Sequence, residues 1–443
     1  MTFILSIPIE VRLAVLFILG CCAGAVVNLG IYRLAWRQRP IGPWIRPDAK
    51  APPRQLWDRV PVIGWLGLRR EANVHGAGFW IRPMLLELLA GIGFALLYWW
   101  EIAGYGLVPP FPEVFVPVGV FDPAKIKLAL AAIRHEQFIC HVVLFCFMLV
   151  AFWVDVDEMT VPDGVTIPCT LAGLVLVTLW PYALLPDIIP RQPPAFNILT
   201  SVWLTSPLNS HPWLAQGLTG RPALAAAIVA FCGWCLALAA GGWDRRLGCL
   251  HAVRYYSVRI VRQWTTYALL GLAVVGSLAI AKVWSMGGPA WAGLVSGLAG
   301  VVIGGGMVWL VRIFASVALR QEAMGFGDVT LLAMIGAFLG WQATVIIFFL
   351  APFAGAIIGL VRLIFRGKTQ IPYGPFLCLA AAATVLAWWR IPGLDWSIWW
   401  DFFRPYFFLG WWLLAVLIVC MLLLVLLLPP VRWVMSKLRR NSG

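Results

Sequence analysis

Apolar runs of roughly membrane-spanning length, separated by arginine-rich or proline-rich stretches, leave this chain one architecture: helices crossing a bilayer. Inside lipid, only a helix or a closed barrel satisfies every backbone hydrogen bond. Runs near Val11–Leu34, Met84–Gly104, Phe138–Val154, Gly164–Leu185, Ala223–Trp243, Thr265–Trp284, Trp291–Leu310, Val329–Leu339, Thr344–Leu363, Pro375–Trp389 and Phe407–Leu428 therefore predict an all-α, polytopic protein of about eleven spans. With 62% hydrophobic and 12% charged residues, the chain is too apolar for a set of soluble domains. Its net charge of +14 does not point to nucleic acid, because the arginines gather in loops between spans, as the positive-inside rule requires. Those loops set the N-terminus outside and the C-terminus in the cytoplasm. The lead-in Met1–Glu10 lacks Lys and Arg, so a cleaved secretory signal is not expected.

Against this background two carboxylates stand out. Asp328 sits in Met324-Gly325-Phe326-Gly327-Asp328-Val329, between a glycine turn and an apolar run, and Asp155 closes the run from Phe138. An ionised acid at membrane depth costs roughly 2.5–3.5 kcal/mol on insertion scales, so such residues face protein or water and usually serve function. Gly325 and Gly327 permit close backbone approach or positive φ just before the acid. Asp328 also suits an N-cap for a helix beginning near Val329. Asp163, in Val161-Pro162-Asp163-Gly164, reads first as a cap after a turn and second as a support to Asp155. Asp157 reads as exposed. If packing brings Asp155 and Asp328 together, like charges prevent both from ionising freely. One then keeps a proton while the other activates water.

These residues resemble the type IV prepilin peptidases, polytopic aspartic proteases of the Gly-x-Gly-Asp class. Asp155 and Asp163 reproduce that family's spaced acids, with Val161 in place of the leucine of its Leu-Pro-Asp turn. Gly325 to Asp328 runs into Leu331-Leu332-Ala333 and Gly336-Ala337-Phe338-Leu339-Gly340-Trp341, as the family's block does. Ile371-Pro372-Tyr373-Gly374-Pro375-Phe376 and Gly24 to Leu34, with Asn28, Tyr32 and Arg33, match two further blocks. Asn28 is equally read as an interhelical hydrogen bond. The resemblance implies Asp155 and Asp328 as the catalytic pair, supported by Asp163, Gly325 and Gly327. It also implies cleavage, at the cytoplasmic face of the bacterial inner membrane, of leaders on prepilin or type II secretion pseudopilin precursors. No cofactor is needed for that proteolysis.

Two departures limit the resemblance. Most members carry two Cys-x-x-Cys pairs in the first cytoplasmic loop, a four-thiolate zinc pattern, whereas residues 35–82 contain no cysteine, so zinc is not expected and His75 reads as a solvated loop residue. Many members methylate the new N-terminus with S-adenosylmethionine, which this chain would require only if it retains methyl transfer. Thr330 replaces the family's usual Lys. The resulting organisation is residues 1–104 as N-terminal spans and basic loop, 138–391 as a peptidase membrane domain with a pair of spans inserted at about 186–290, and 392–443 as an extra span and basic tail. Two other classes stay open, a catalytically degenerate scaffold of a secretion or pilus system and a proton-coupled transporter. Neither Gly293-x-x-x-Gly297 with Gly300-x-x-x-Gly304 nor Cys232-x-x-Cys235 signals chemistry; both read as packing.

Overall fold

The computed structural model describes residues 2–39, 41–48, 51–107, 123–190, 197–201, 220–240, 264–319, 324–364 and 372–388. The span expected at Phe407–Leu428, the tail after it and all the arginines at 245–262 lie outside the described residues. Among the described residues the longer helices are α1 (Ile9–Leu34), α2 (Ile81–Tyr98), α3 (Pro123–Glu158), α4 (Asp163–Leu179), α5 (Arg221–Ala240), α6 (Trp264–Met286), α7 (Gly288–Leu319), α8 (Phe326–Ile364) and α9 (Gly374–Leu386). Seven helical segments among the described residues are long and apolar enough to cross a membrane, and α4 and α9 are shorter apolar helices. Among the described residues the one strand pair is a hairpin of β1 (Pro186–Pro190) and β2 (Asn197–Ser201) in the proline-rich stretch after α4.

One boundary differs from expectation: the helix carrying Asp155 begins at Pro123, well ahead of the run expected from Phe138. The two spans expected after Asp328 lie on either side of Gly340, where φ of 77° and ψ of 174° break α8. Only glycine takes that conformation without strain, so the chain changes direction there without leaving the bundle.

The first half of α8 is the centre of the fold. Leu331, Leu332, Met334, Ile335 and Ala337 are fully buried, and α7, α4, α9 and α3 pack around them. A helix apolar on every side requires such an enclosed position. Close approach comes from small residues: Cβ atoms on Gly300 and Gly336 would each strike the other's backbone, and one on Gly304 would lie 2.7 Å from the Leu332 carbonyl oxygen. Gly20 and Gly24 do the same for α1 against α2, where a Gly24 Cβ would sit 2.6 Å from the Glu87 Cα. Cys235 is buried in α5 and Cys232 touches Ser277 of α6, as packing residues would.

At the far end of α2 the backbone widens to a π-turn over Trp99–Ala103, which carries Glu101. Its carboxylate meets the His141 Nδ1 of α3 at 2.6 Å, with both side chains almost wholly enclosed. Such a pair is expected to couple the two helices. In a double-mutant cycle of Glu101→Leu and His141→Leu, unfolding in mixed micelles should give a coupling of about 1–2 kcal/mol. A coupling indistinguishable from zero would make the pair a bystander.

Candidate active site

Each acid reaches the site by local rules. Helix α3 ends at Glu158, followed by Met159 in the left-handed region (φ 54°), whose N–H closes on the Asp155 carbonyl oxygen at 2.8 Å. Asp155 thus occupies the last turn, and its side chain is 4% exposed. Asp328 is the third residue of α8 and 7% exposed; its carboxylate accepts the N–H of Gly325. That is half of a capping box, so Asp328 does cap its helix, from inside the first turn rather than ahead of it.

The two acids lie within electrostatic reach of each other beneath the start of α9. Their charges interact, and both also act on the buried Cys378 thiol in the first turn and a half of α9. The Gly374 N–H donates to Asp155 Oδ2 at 3.0 Å. Tyr373 lies within reach of the Asp328 charge; burial first and that charge second push its phenol above the ordinary range and keep it a neutral donor. Arg312 of α7, 7% exposed, stacks 5.7 Å from the Phe326 ring centroid, and its positive charge acts on Asp328. At the position where a lysine was expected, the Thr330 hydroxyl donates to the Gly327 carbonyl oxygen at 3.0 Å.

The supporting residues divide. Gly327 is a close-approach glycine: a Cβ would lie 2.9 Å from the Val161 Cβ and 3.0 Å from the Val161 nitrogen, so it seats α8 on the turn that follows Asp155. Gly325 has open space and contributes its N–H. Asp163 begins α4, is exposed, and makes no capping hydrogen bond; the Pro162 carbonyl oxygen accepts from the Val165 N–H instead. Asp157, read as exposed, is held bidentately by Arg82. Gly374, Tyr373 and Arg312 were missing from the sequence-derived site. For Gly374 and Tyr373 the signal was the Ile371–Phe376 block itself, which carried no assigned role. Arg312 lies just past the Trp291–Leu310 run and drew no assignment from sequence.

The basic loop is held without thiolates. Arg54 pairs with Glu71 at 2.6 and 2.8 Å and also donates to the carbonyl oxygens of Gly42 and Ile45. Arg70 pairs with Asp58 at 2.6 Å, and His75 approaches Glu71 at 3.5 Å. This donor set does not fit a four-thiolate zinc. Glu87 accepts from Val62 N–H, Trp65 Nε1 and Asn28 Nδ2, and Asn28 also donates to the Pro83 carbonyl oxygen. Asn28 therefore joins α1 to α2, leaving its Oδ1 unpartnered. A cleft beside it is lined by Tyr32, Trp44 and Trp65.

Two buried acids from distant parts of the chain are thus brought to one end of a helical bundle. Residues 256–360 match the type IV leader peptidase family. The match contains Asp328 and ends short of Gly374; Asp155 precedes it. The chain is 33% identical over 129 residues to a prepilin leader peptidase/N-methyltransferase of Burkholderia pseudomallei (strain K96243), an alignment covering 28% of this chain and 34% of the relative. It is 37% identical over 99 residues to the protein of that name from Pseudomonas aeruginosa, covering 22% and 34%. For the Aeromonas salmonicida protein the figures are 34% over 96 residues, 21% and 32%. The chain thus spans about a third of the length of the curated relatives it matches. No solved structure matches it.

Proposed function

We propose that this protein is a membrane aspartic endopeptidase that removes the short basic leader of prepilin-type or pseudopilin precursors. The observation that carries the reading is the convergence of Asp155 and Asp328, from helices far apart in sequence, under the Gly374 N–H. The charged acid takes a proton from water, the water attacks the scissile carbonyl, and the neutral acid protonates the departing amine. The substrate's apolar helix lies among the spans while its junction reaches the pair. Arginine placement supports a plasma-membrane protein whose acid pair faces the cytoplasm. The names of the relatives support a second step, methylation of the new N-terminus, with S-adenosylmethionine as donor. The retained, enclosed acids speak against a degenerate scaffold. Their position at helix ends speaks against a transporter.

The test is cleavage of a co-expressed prepilin-type precursor by the parent, Asp155→Asn and Asp328→Asn, with the product's N-terminus weighed by mass spectrometry. Each substitution should lower cleavage about 10²-fold or more at equal membrane insertion. Undiminished cleavage by either variant would refute the pair. A product heavier by one methyl from the parent would establish the second step.

A further inference from the structure

We infer that Arg82 is a positioning residue for Asp155, acting through Trp153 and Asp157. The inference rests on the proposal that Asp155 belongs to the cleaving pair. Asp155, Asp157 and Glu158 crowd the last turn of α3, and that turn contains no basic residue. A helix C-terminus carries partial negative charge, so three carboxylates there repel both the dipole and one another. Left alone, this turn would fray, and Asp155 with it.

Groups from the N-terminal region counter that repulsion. Arg82, the second residue of α2, donates from Nη1 to both oxygens of Asp157 at 2.9 Å, while its guanidinium carbon lies 4.4 Å from the Trp153 ring centroid. Arg39 approaches Asp157 at 4.0 Å. Glu158 accepts the backbone N–H groups of Trp36 and Arg37 at 2.6 and 2.9 Å, just beyond the end of α1. Trp153 and Asp157 are four residues apart and share one face of α3. Asp155, two residues from each, is rotated about 200° from both and so faces the other way, towards Gly374. Gripping the outer face of the last turn therefore fixes the direction of the acid on the inner face. The grip also ties the arginine-rich loop, which contains no catalytic candidate, to the geometry of the acid pair.

Two readouts on the full-length protein test this. The first is the steady-state cleavage of a prepilin-type precursor by the parent, Arg82→Ala, Arg82→Lys and the charge exchange Arg82→Asp with Asp157→Arg. The second is the rate at which a hydrophobic carbodiimide labels Asp155, measured by mass spectrometry against Glu101, which is enclosed elsewhere in the bundle. Arg82→Ala should lower kcat about tenfold or more with little change in KM, and should raise labelling of Asp155 several-fold without raising that of Glu101. Arg82→Lys and the charge exchange should recover part of both. Cleavage within twofold of the parent together with unchanged Asp155 labelling would overturn the inference. So would labelling that rises equally at Glu101, which marks general loosening. A parent that cleaves no such precursor, or an Asp155→Asn variant that cleaves normally, refutes the proposed function instead, and the labelling ratio still decides whether Arg82 holds Asp155.

Discussion

Gly374→Ala should all but eliminate leader cleavage while leaving the protein folded and inserted. The Gly374 N–H donates to Asp155 Oδ2 at 3.0 Å, and a Cβ at this position would lie 2.5 Å from the same oxygen and 3.2 Å from the Leu331 Cδ2. The Leu331 side chain belongs to the immobile centre of α8, so the Asp155 carboxylate must give way. Displacement of a reacting group by about 1 Å costs on the order of 10²-fold in rate. The loss should fall on kcat, because nothing in the contact touches a bound peptide's length or charge. Initial rates for the variant within threefold of the parent's, at matched protein in the membrane, would show that Asp155 is not aligned from α9. Gly355→Ala is a useful comparison in the same bundle, since its Cβ would meet only the Phe376 ring, at 3.1 Å and beyond.

Gly336→Ala should instead prevent assembly. The added Cβ would strike the Gly300 backbone, which belongs to a second helix and cannot rotate aside, so α7 and α8 must separate along their length. Overpacking a core by one methyl group typically costs 1–3 kcal/mol through shifts of side chains. A clash with backbone on both sides should reach the upper end, about 3 kcal/mol. Loss of folded protein, followed as resistance to denaturing detergent, is the measurement. Gly306→Ala supplies the control, because Gly306 lies in α7 with open space around it and should tolerate the change. Equal stability of the two variants would mean that α7 and α8 do not meet through these glycines.

Much of this was readable in advance because a bilayer restricts the choices. A span must be apolar along its length, so α1, α2, α5 and α6 could be placed within a few residues from hydropathy. A buried acid is conspicuous in such a background, which made Asp155 and Asp328 visible without any contact information. Small residues at four-residue spacing announced a close helix contact at Gly300 and Gly304. Their pattern could not name the opposing helix. The joined helix from Pro123 to Glu158 was misjudged because charged residues at 125, 134 and 136 lower the local hydropathy, yet intrahelical hydrogen bonding continues through them.

The placement of side chains against residues from other helices lay beyond such reading. Asp157 and Asp163 look alike in sequence, as acids near a turn, yet Arg82 grips the first and the second stands exposed at the first turn of α4. Gly374 stood in a matched block with no assigned role; what sets it apart is one N–H aimed at an oxygen 219 residues away. Arg312 likewise became a neighbour of Asp328 only once α7 lay beside α8. Hydropathy, arginine placement and glycine spacing are properties of a segment in its solvent, and they dictated a helical membrane protein carrying two acids at span ends. Distances between segments depend on which helices pack together and at what rotation. Those come from the summed contacts of the whole bundle, and only the folded arrangement made the acids a pair.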